Sequence, residues 1–178
     1  MLNKIQLNNK LDWQNLGQIN LIIGENQCGK SHILKKSYQA TLEQDGYDPE
    51  RVKFLTGGNL FRYAQGKRTN VFGTYVNTGR NTIFYIDDVE TGLHPKAISD
   101  LLDIIAVYAR HGVQFFMTSH SYFVIKKLFL IAQQNKMSIP VLSYQDGKWV
   151  QSDLLKDIAD NPIIDESIRL YEEYLNLE

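Results

Sequence analysis

The residues whose types and spacing point most sharply to chemistry lie between Gly24 and Ser31, which read Gly-Glu-Asn-Gln-Cys-Gly-Lys-Ser. This segment fits the pattern G-x-x-x-x-G-K-[ST]. It also stands between an apolar strand pattern and a helical pattern, which is the context the motif requires. Gly24 allows a sharp turn after the strand, and Gly29 allows the backbone to approach phosphate oxygens closely. Successive N–H groups at a helix start form an anion-binding nest, so the segment predicts a phosphate-binding loop.

Two side chains at the end of this loop carry the chemistry. Lys30 is predicted to bridge the β- and γ-phosphates of a nucleoside triphosphate, and the Ser31 hydroxyl to bind Mg²⁺. Cys28 is either a reactive thiol near a helix N-terminus or a small residue that fits beside the phosphates, and we favour the second interpretation. The predicted nucleotide-binding residues are Gly24, Glu25, Asn26, Gln27, Cys28, Gly29, Lys30, Ser31 and His32.

Carboxylates follow a second apolar run. Residues 83–86 read Ile-Phe-Tyr-Ile and end in Asp87-Asp88. Because ligands of open α/β sheets bind at the carboxyl ends of the strands, Asp87 is predicted to hold Mg²⁺ through a water molecule. Asp88 would face the γ-phosphate and orient or activate the attacking water, and Glu90 is a second candidate for that role. Taken alone, two aspartates after a strand are also typical of a solvated turn.

A histidine follows a further apolar strand. Phe115-Phe116-Met117 leads into Thr118-Ser119-His120. His120 is predicted to hydrogen-bond the γ-phosphate and so to report its presence. The alternative is a structural or surface histidine with no part in the chemistry.

The elements that must position these residues alternate along the chain, which favours a three-layer α/β fold with a mostly parallel sheet. Strands are predicted at Lys4–Leu7, Ile19–Ile23, Val52–Leu55, Thr82–Ile86 and Val113–Met117. Helices are predicted at Ser31–Leu42, from Pro95 to Gly112 and over Tyr122–Gln134, with a hairpin or strand pair of Pro140–Tyr144 and Trp149–Gln151. A last amphipathic helix is predicted over 162–177, docked on its own sheet or on a partner.

Composition narrows the class of protein. The chain has 178 residues, a formal net charge of −1 and one cysteine, which favours one domain over 1–178 without an internal disulfide. No run long and apolar enough to span a membrane and no signal-peptide h-region is visible, so a cytoplasmic location is expected. The near-neutral charge excludes a globally basic nucleic-acid binder. The basic and aromatic stretch Phe61–Arg80 is either a local nucleic-acid contact or a solvated loop near the nucleotide.

In combination, these segments resemble the ABC-type ATPase superfamily, in the branch that includes SMC-like and overcoming-lysogenisation-defect-like ATPases. Residues 4–26 resemble the opening strands and Walker A loop of that branch, residues 86–95 its Walker B and D-loop segment, and residues 116–121 its switch-histidine loop. The resemblance covers about residues 1–42 and 82–130. It implies a P-loop NTPase fold with an ABC-ATPase-like core that uses ATP and Mg²⁺.

Carried over position by position, the resemblance assigns Lys30 and Ser31 to phosphate and Mg²⁺, and Asp87 to the metal. It assigns Asp88 to the catalytic carboxylate and His120 to the γ-phosphate switch. His94 falls in the D-loop, which in this family often lies at a dimer interface.

Three features depart from the family. Asp88 stands where a glutamate is usual; its shorter reach to the water predicts slow hydrolysis, because small displacements of reacting groups are costly. Only 56 residues separate Lys30 from Asp87, too few for the usual helical subdomain or arm. No clear Leu-Ser-Gly-Gly-Gln signature precedes Asp87, although residues 55–59 resemble it in letters.

Without that signature, a partner protein, or an arginine or lysine of the basic stretch, would supply the missing ligand of the γ-phosphate. These candidates are Arg62, Lys67, Arg68 and Arg80, and Gln65 is the candidate for the family's Q-loop.

The favoured function is an ATP-binding protein that slowly hydrolyses Mg-ATP to switch a partner protein, or a second copy of itself, through the nucleotide face. By analogy alone, the setting would be DNA maintenance or anti-phage defence. The alternative is a nucleotide-gated regulatory or antitoxin-like module that is essentially non-catalytic. A small-molecule kinase would share the phosphate loop, but the histidine-ended strand and Gly92-Leu93-His94-Pro95 argue against it.

Overall fold

The fold is built around a six-stranded sheet with the spatial order β4-β5-β6-β3-β7-β8. The computed structural model describes residues 1–8, 11–44, 46–57, 60, 82–156, 169, 172 and 173. In chain order the strands are β1 (Lys4–Asn8), β2 (Leu11–Gln14), β3 (Ile19–Ile23), β4 (Val52–Thr56), β5 (Ile83–Asp87), β6 (Gln114–Ser119), β7 (Pro140–Gln145) and β8 (Lys148–Asp153). The helices are α1 (Lys30–Leu42), α2 (Pro95–Arg110) and α3 (Tyr122–Asn135), with a short 3₁₀ turn at Pro49–Arg51.

Five neighbouring strands run parallel, and β8 pairs antiparallel with β7. All five residues of the central strand β3 are buried, as expected for a β-branched run covered on both faces. The register places Thr56 beside Asp87 and Ile23 beside Ser119. The carboxyl ends of β4, β5, β6 and β3 therefore meet at one edge, and this edge carries the predicted site.

The sheet has a helical layer on each face. The helices α2 and α3 pack side by side over one apolar cluster that includes Leu102, Ile105 and Leu128. On the other face, Ile33 and Leu34 of α1 share a cluster with residues of β1 and β2. The apolar stripe of each helix accounts for this three-layer arrangement, because each stripe must bury against the sheet.

Most of the predicted elements are confirmed. The bounds of β3 are those predicted, and α2 begins at Pro95 and ends at Arg110, shortly before Gly112. The strand pair near the end of the described chain is an antiparallel hairpin. The basic stretch 61–80 lies outside the described residues, and so does the predicted helix at 162–177 apart from residues 169, 172 and 173. Within the part of the chain that the structure describes, no helix has the length and apolar character needed to cross a membrane.

Sequence reasoning missed β2. This four-residue strand pairs antiparallel with β1 as a separate two-stranded sheet, with Ile5 opposite Trp13. Trp13 is fully buried, and its ring meets the edge of Phe116 with centroids 5.6 Å apart. The alternation Leu-Asp-Trp-Gln is present in the sequence, but such a short alternation does not reveal which strand it pairs with. Its position comes instead from the aromatic packing of Trp13 on the central sheet.

Candidate nucleotide-binding site

The loop predicted to bind phosphate connects β3 to α1, as the motif requires. Its backbone takes positive φ at Gly24 (+154°), Gln27 (+68°) and Gly29 (+99°). A Cβ atom at position 24 would lie 2.7 Å from Cys28 Sγ and 3.2 Å from Tyr144 Cβ. Close packing therefore requires glycine there in addition to the turn. The result is a tight backbone turn that ends at the N-terminus of α1, the arrangement that forms an anion-binding nest.

Lys30 lies inside this turn. Its side chain is buried, and Nζ donates hydrogen bonds to the carbonyl oxygens of Gly24 at 2.9 Å and Glu25 at 2.8 Å. The first turn of α1 carries no acidic side chain, so no carboxylate there neutralises the positive end of the helix dipole. The ammonium, the amide groups and the helix end together make this loop attractive to an anion.

The other predicted loop residues differ in exposure. Ser31 and Cys28 are half-buried, whereas the side chains of the loop tip and of the second helical residue are exposed. These exposed residues are Glu25, Asn26, Gln27 and His32. A large anion can therefore reach the loop from solvent without crossing the core.

Asp87 and Asp88 follow β5 at the predicted edge, and Thr118 of β6 connects them. The Thr118 hydroxyl donates to Asp87 Oδ1 at 2.7 Å and accepts from the Asp88 N–H at 2.7 Å. The Val89 N–H donates to the Thr118 carbonyl at 3.2 Å. Asp87 is therefore oriented by a buried hydroxyl, which is how proteins commonly hold a metal-ligating carboxylate.

Asp88 has an unusual backbone. Its φ is +45°, in the left-handed region. Among non-glycine residues, aspartate and asparagine are the most tolerant of that region. The backbone at position 88 thus gives a conformational reason for an aspartate there.

Glu90 and His120 meet at the same edge. Glu90 Oε1 accepts hydrogen bonds from Ser119 Oγ at 3.0 Å and from the His120 N–H at 2.9 Å, and lies 3.2 Å from His120 Nδ1. Asp88 Oδ1 lies 3.9 Å from the same ring nitrogen. The structure therefore brings all four residues predicted to act on the metal and water side, Asp87, Asp88, Glu90 and His120, to the carboxyl ends of two adjacent strands.

Residues 55–57, the described part of the segment 55–59 that resembles a signature motif in letters, lie at the same edge. A Cβ atom on Gly57 would lie only 2.1 Å from the Asp88 carbonyl oxygen and 3.1 Å from the Thr91 nitrogen. The glycine therefore has a packing role within this chain, against the turn after β5. His94, predicted in the D-loop, is the N-cap of α2, and its Nδ1 accepts from the Lys96 N–H at 3.3 Å.

Sequence reasoning missed Thr118 and Ser119 as partners of the carboxylates. Both stand directly before His120 at the end of β6, so the run of polar residues was visible. The missing information was the pairing across the edge, because 31 residues separate Asp87 from Thr118 and 29 separate Glu90 from Ser119.

A family model described as "AAA domain, putative AbiEii toxin, Type IV TA system" matches residues 37–126, half of the chain. The chain belongs to this AAA-domain family. The matched range of the AAA domain contains Asp87, Asp88, Glu90 and His120, and the loop predicted to bind phosphate, residues 24–31, lies before it in the sequence. No curated protein sequence matches the chain.

A solved structure shares the fold of this AAA domain. It is CbiO1 from Clostridium perfringens, described as part of the ABC transporter complex cbiONQ. The two chains are 13% identical, with a TM-score of 0.58 and coverage of 92% of each. The predicted class, an ABC-type or AAA P-loop ATPase fold with a mostly parallel sheet, is confirmed.

Proposed function

We propose that the chain binds Mg-ATP at the carboxyl edge of its sheet and hydrolyses it slowly to switch a partner. The observation that carries this proposal is the buried Lys30 ammonium inside a backbone turn with positive φ at Gly24, Gln27 and Gly29. Phosphate oxygens are stronger acceptors for an ammonium group than carbonyl oxygens are. A bound phosphate would therefore replace the two carbonyl oxygens that hold Nζ.

The residues at this edge suit the two groups that the family implies. The loop amides and Lys30 would hold the phosphates, while the Ser31 hydroxyl and the Asp87 carboxylate supply the oxygen ligands that Mg²⁺ prefers. When bound, the ion would neutralise charge on the phosphate oxygens. Thr118 orients Asp87 for this role through the 2.7 Å hydrogen bond.

Two residues would act on the γ-phosphate side. Glu90 Oε1 is already engaged by Ser119 and His120, whereas the Asp88 side chain is 41% exposed. We therefore assign the positioning of the attacking water to Asp88 rather than Glu90. His120 would hydrogen-bond the γ-phosphate. The short reach of an aspartate makes turnover slow.

The partner is a second protein or a second copy of this chain that docks on the nucleotide face. The loop tip, residues 25–27, and His94 are exposed, so a partner would be able to contact them. The description of the family, with its toxin and type IV toxin–antitoxin terms, favours a setting in defence over DNA maintenance. The resemblance and the AAA family match also support treating residues 1–178 as a single ATPase domain.

A second candidate is a nucleotide-gated regulatory module without significant turnover. Asp88 supports this candidate. Its backbone lies in the left-handed region, where a longer glutamate would be strained. The site therefore keeps the shorter carboxylate, whose reach to the attacking water is poorer. This module would bind Mg-ATP and release no phosphate, even beside its partner.

The deciding experiment compares the wild-type chain with Lys30→Ala by calorimetric titration with Mg-ATP and by steady-state phosphate release. Lys35→Ala is the matched control, because Lys35 lies on the same helix and is exposed. We expect Lys30→Ala to weaken binding at least about tenfold, as for loss of hydrogen bonds to a charged group, and Lys35→Ala to bind as wild type. Equal binding by wild type and Lys30→Ala would refute the proposal. Binding without phosphate release would select the regulatory module.

A further inference from the structure

We propose that Glu90 is a positioning residue that holds His120 in place for the γ-phosphate, rather than a base that activates water. The inference rests on the proposed function of the site. It gives Glu90 a role different from the water activation for which the sequence made it a candidate.

The contacts of Glu90 carry the inference. One oxygen, Oε1, accepts from both the Ser119 hydroxyl and the His120 backbone N–H, and it lies 3.2 Å from His120 Nδ1. The carboxylate therefore restrains the backbone and the ring of His120 together. With Nδ1 facing Glu90, Nε2 is the ring nitrogen left for a phosphate oxygen.

The same contacts extend to the next helix. Ser119 Oγ, which donates to Glu90, accepts a hydrogen bond from the Ser121 N–H at 3.0 Å. Ser121 is the N-cap of α3. Glu90 thus connects the turn after β5 to the start of α3 through a short series of hydrogen bonds, and a shift of this turn would be transmitted to His120.

Glu90 is much more buried than Asp88. The Glu90 side chain is only 10% exposed, against 41% for Asp88. Glu90 Oε2 is buried and has no hydrogen-bond partner among the described residues. A carboxylate that is enclosed and already engaged through Oε1 is suited to orienting a neighbour, while a water-activating base must reach the solvent side of the site.

The first test is a double-mutant cycle with Glu90→Ala, His120→Ala and the double variant, read by phosphate release. We expect Glu90→Ala to lower release about tenfold, as for loss of a charge-assisted hydrogen bond. In the His120→Ala background the same change should have little further effect, because Glu90 acts through His120. Glu90→Gln, which keeps an oxygen acceptor at this position, should retain more activity than Glu90→Ala. Losses that multiply independently would overturn the inference and restore Glu90 as a base.

The second test needs no nucleotide, so it separates the failure of this inference from that of the proposed function. Amide hydrogen exchange is measured over residues 118–122 in wild type and Glu90→Ala. Asp100→Ala is the control, because Asp100 is an exposed acid of α2 whose ion pair with Lys96 lies at the surface. We expect the His120 amide to exchange faster in Glu90→Ala than in wild type, and to exchange at the wild-type rate in the control. Unchanged exchange overturns the inference, whereas a wild-type chain that retains no nucleotide overturns the proposed function.

Discussion

The Thr118 hydroxyl donates a 2.7 Å hydrogen bond to Asp87 Oδ1. Its oxygen also accepts the N–H of Asp88 at 2.7 Å, and Thr118 is fully buried. One side chain of β6 therefore sets the orientation of the proposed metal ligand and the backbone of the proposed water-positioning residue. The two strands of the site are coupled through this hydroxyl.

The first prediction concerns that hydroxyl. Thr118→Val keeps the side-chain shape but leaves the Asp88 N–H without its acceptor, which should destabilise the fold by about 1–3 kcal/mol. Asp87 also loses an orienting donor, and such partners typically affect metal affinity about 10–100-fold. Mg²⁺ titration of nucleotide binding measures the effect, with Thr118→Ser as the control that restores the hydroxyl. An unaltered Mg²⁺ requirement in Thr118→Val would show that the hydrogen bond has no part in metal binding.

The second prediction follows from the backbone at Asp88. Because φ is +45°, Asp88→Glu should lower the free energy of unfolding by roughly 1 kcal/mol, whereas Asp88→Asn should leave it nearly unchanged. Asp88→Asn should instead lower phosphate release, since it removes the carboxylate. Urea unfolding and phosphate release measured on both variants separate the two effects. A glutamate variant as stable as wild type would show that position 88 tolerates the longer side chain.

The third prediction concerns Gly57. A Cβ atom there would meet the Asp88 carbonyl oxygen at 2.1 Å, so the turn after β5 must move to accept Gly57→Ala. We expect a loss of about 1–3 kcal/mol, as for overpacking of a close contact, together with weaker nucleotide binding. Thr56→Ala is the control, because Thr56 is the exposed last residue of β4 and directly precedes Gly57. If thermal unfolding of Gly57→Ala matches that of Thr56→Ala, the close approach has no energetic weight.

The fourth prediction concerns Tyr85 and alkaline pH. Burial raises the pKa of the Tyr85 phenol well above its ordinary value of 10.0, and the Thr41 hydrogen bond lowers it in part. The folded chain therefore keeps the phenol neutral at a pH where the unfolded chain ionises it. The unfolded state then binds fewer protons, so the stabilisation present below pH 10 is lost as the pH rises above it.

Tyr85→Phe removes this pH dependence. At pH 8 it should cost about 1 kcal/mol, because the phenol oxygen lies 2.5 Å from Thr41 Oγ1, while Thr41 keeps its bond to the Ser37 carbonyl. Urea unfolding above pH 10 should show the gap between wild type and Tyr85→Phe closing. Tyr144→Phe, which removes a phenol from a half-buried position, is the control. A gap that stays constant with pH would contradict the burial argument.

Local patterns were sufficient for most elements of this fold. The β-branched run Ile19–Ile23 is a buried strand because its composition suits a sheet covered on both faces, and Pro95 begins α2 because its φ suits a first helical turn. β2 was missed, since its burial depends on Trp13 packing against Phe116 of a distant strand. Hydrophobic periodicity and the residues that end helices and strands are local features of the sequence. The partners against which an element packs come from elsewhere in the chain, so local patterns do not reveal them.

For the site, the sequence by itself predicted a phosphate-binding loop and the candidate residues Asp87, Asp88, Glu90 and His120, because motif spacing and strand ends are local properties. The tertiary structure decided which side chains hold these residues in place. The contacts of Thr118 with Asp87 and of Ser119 with Glu90 span about thirty residues of chain and exist only where β5 and β6 lie side by side. The left-handed backbone of Asp88 is likewise set by the turn that this pairing and Gly57 enclose. Hydrogen bonds between distant segments depend on the register of the strands, and no local pattern encodes that register completely.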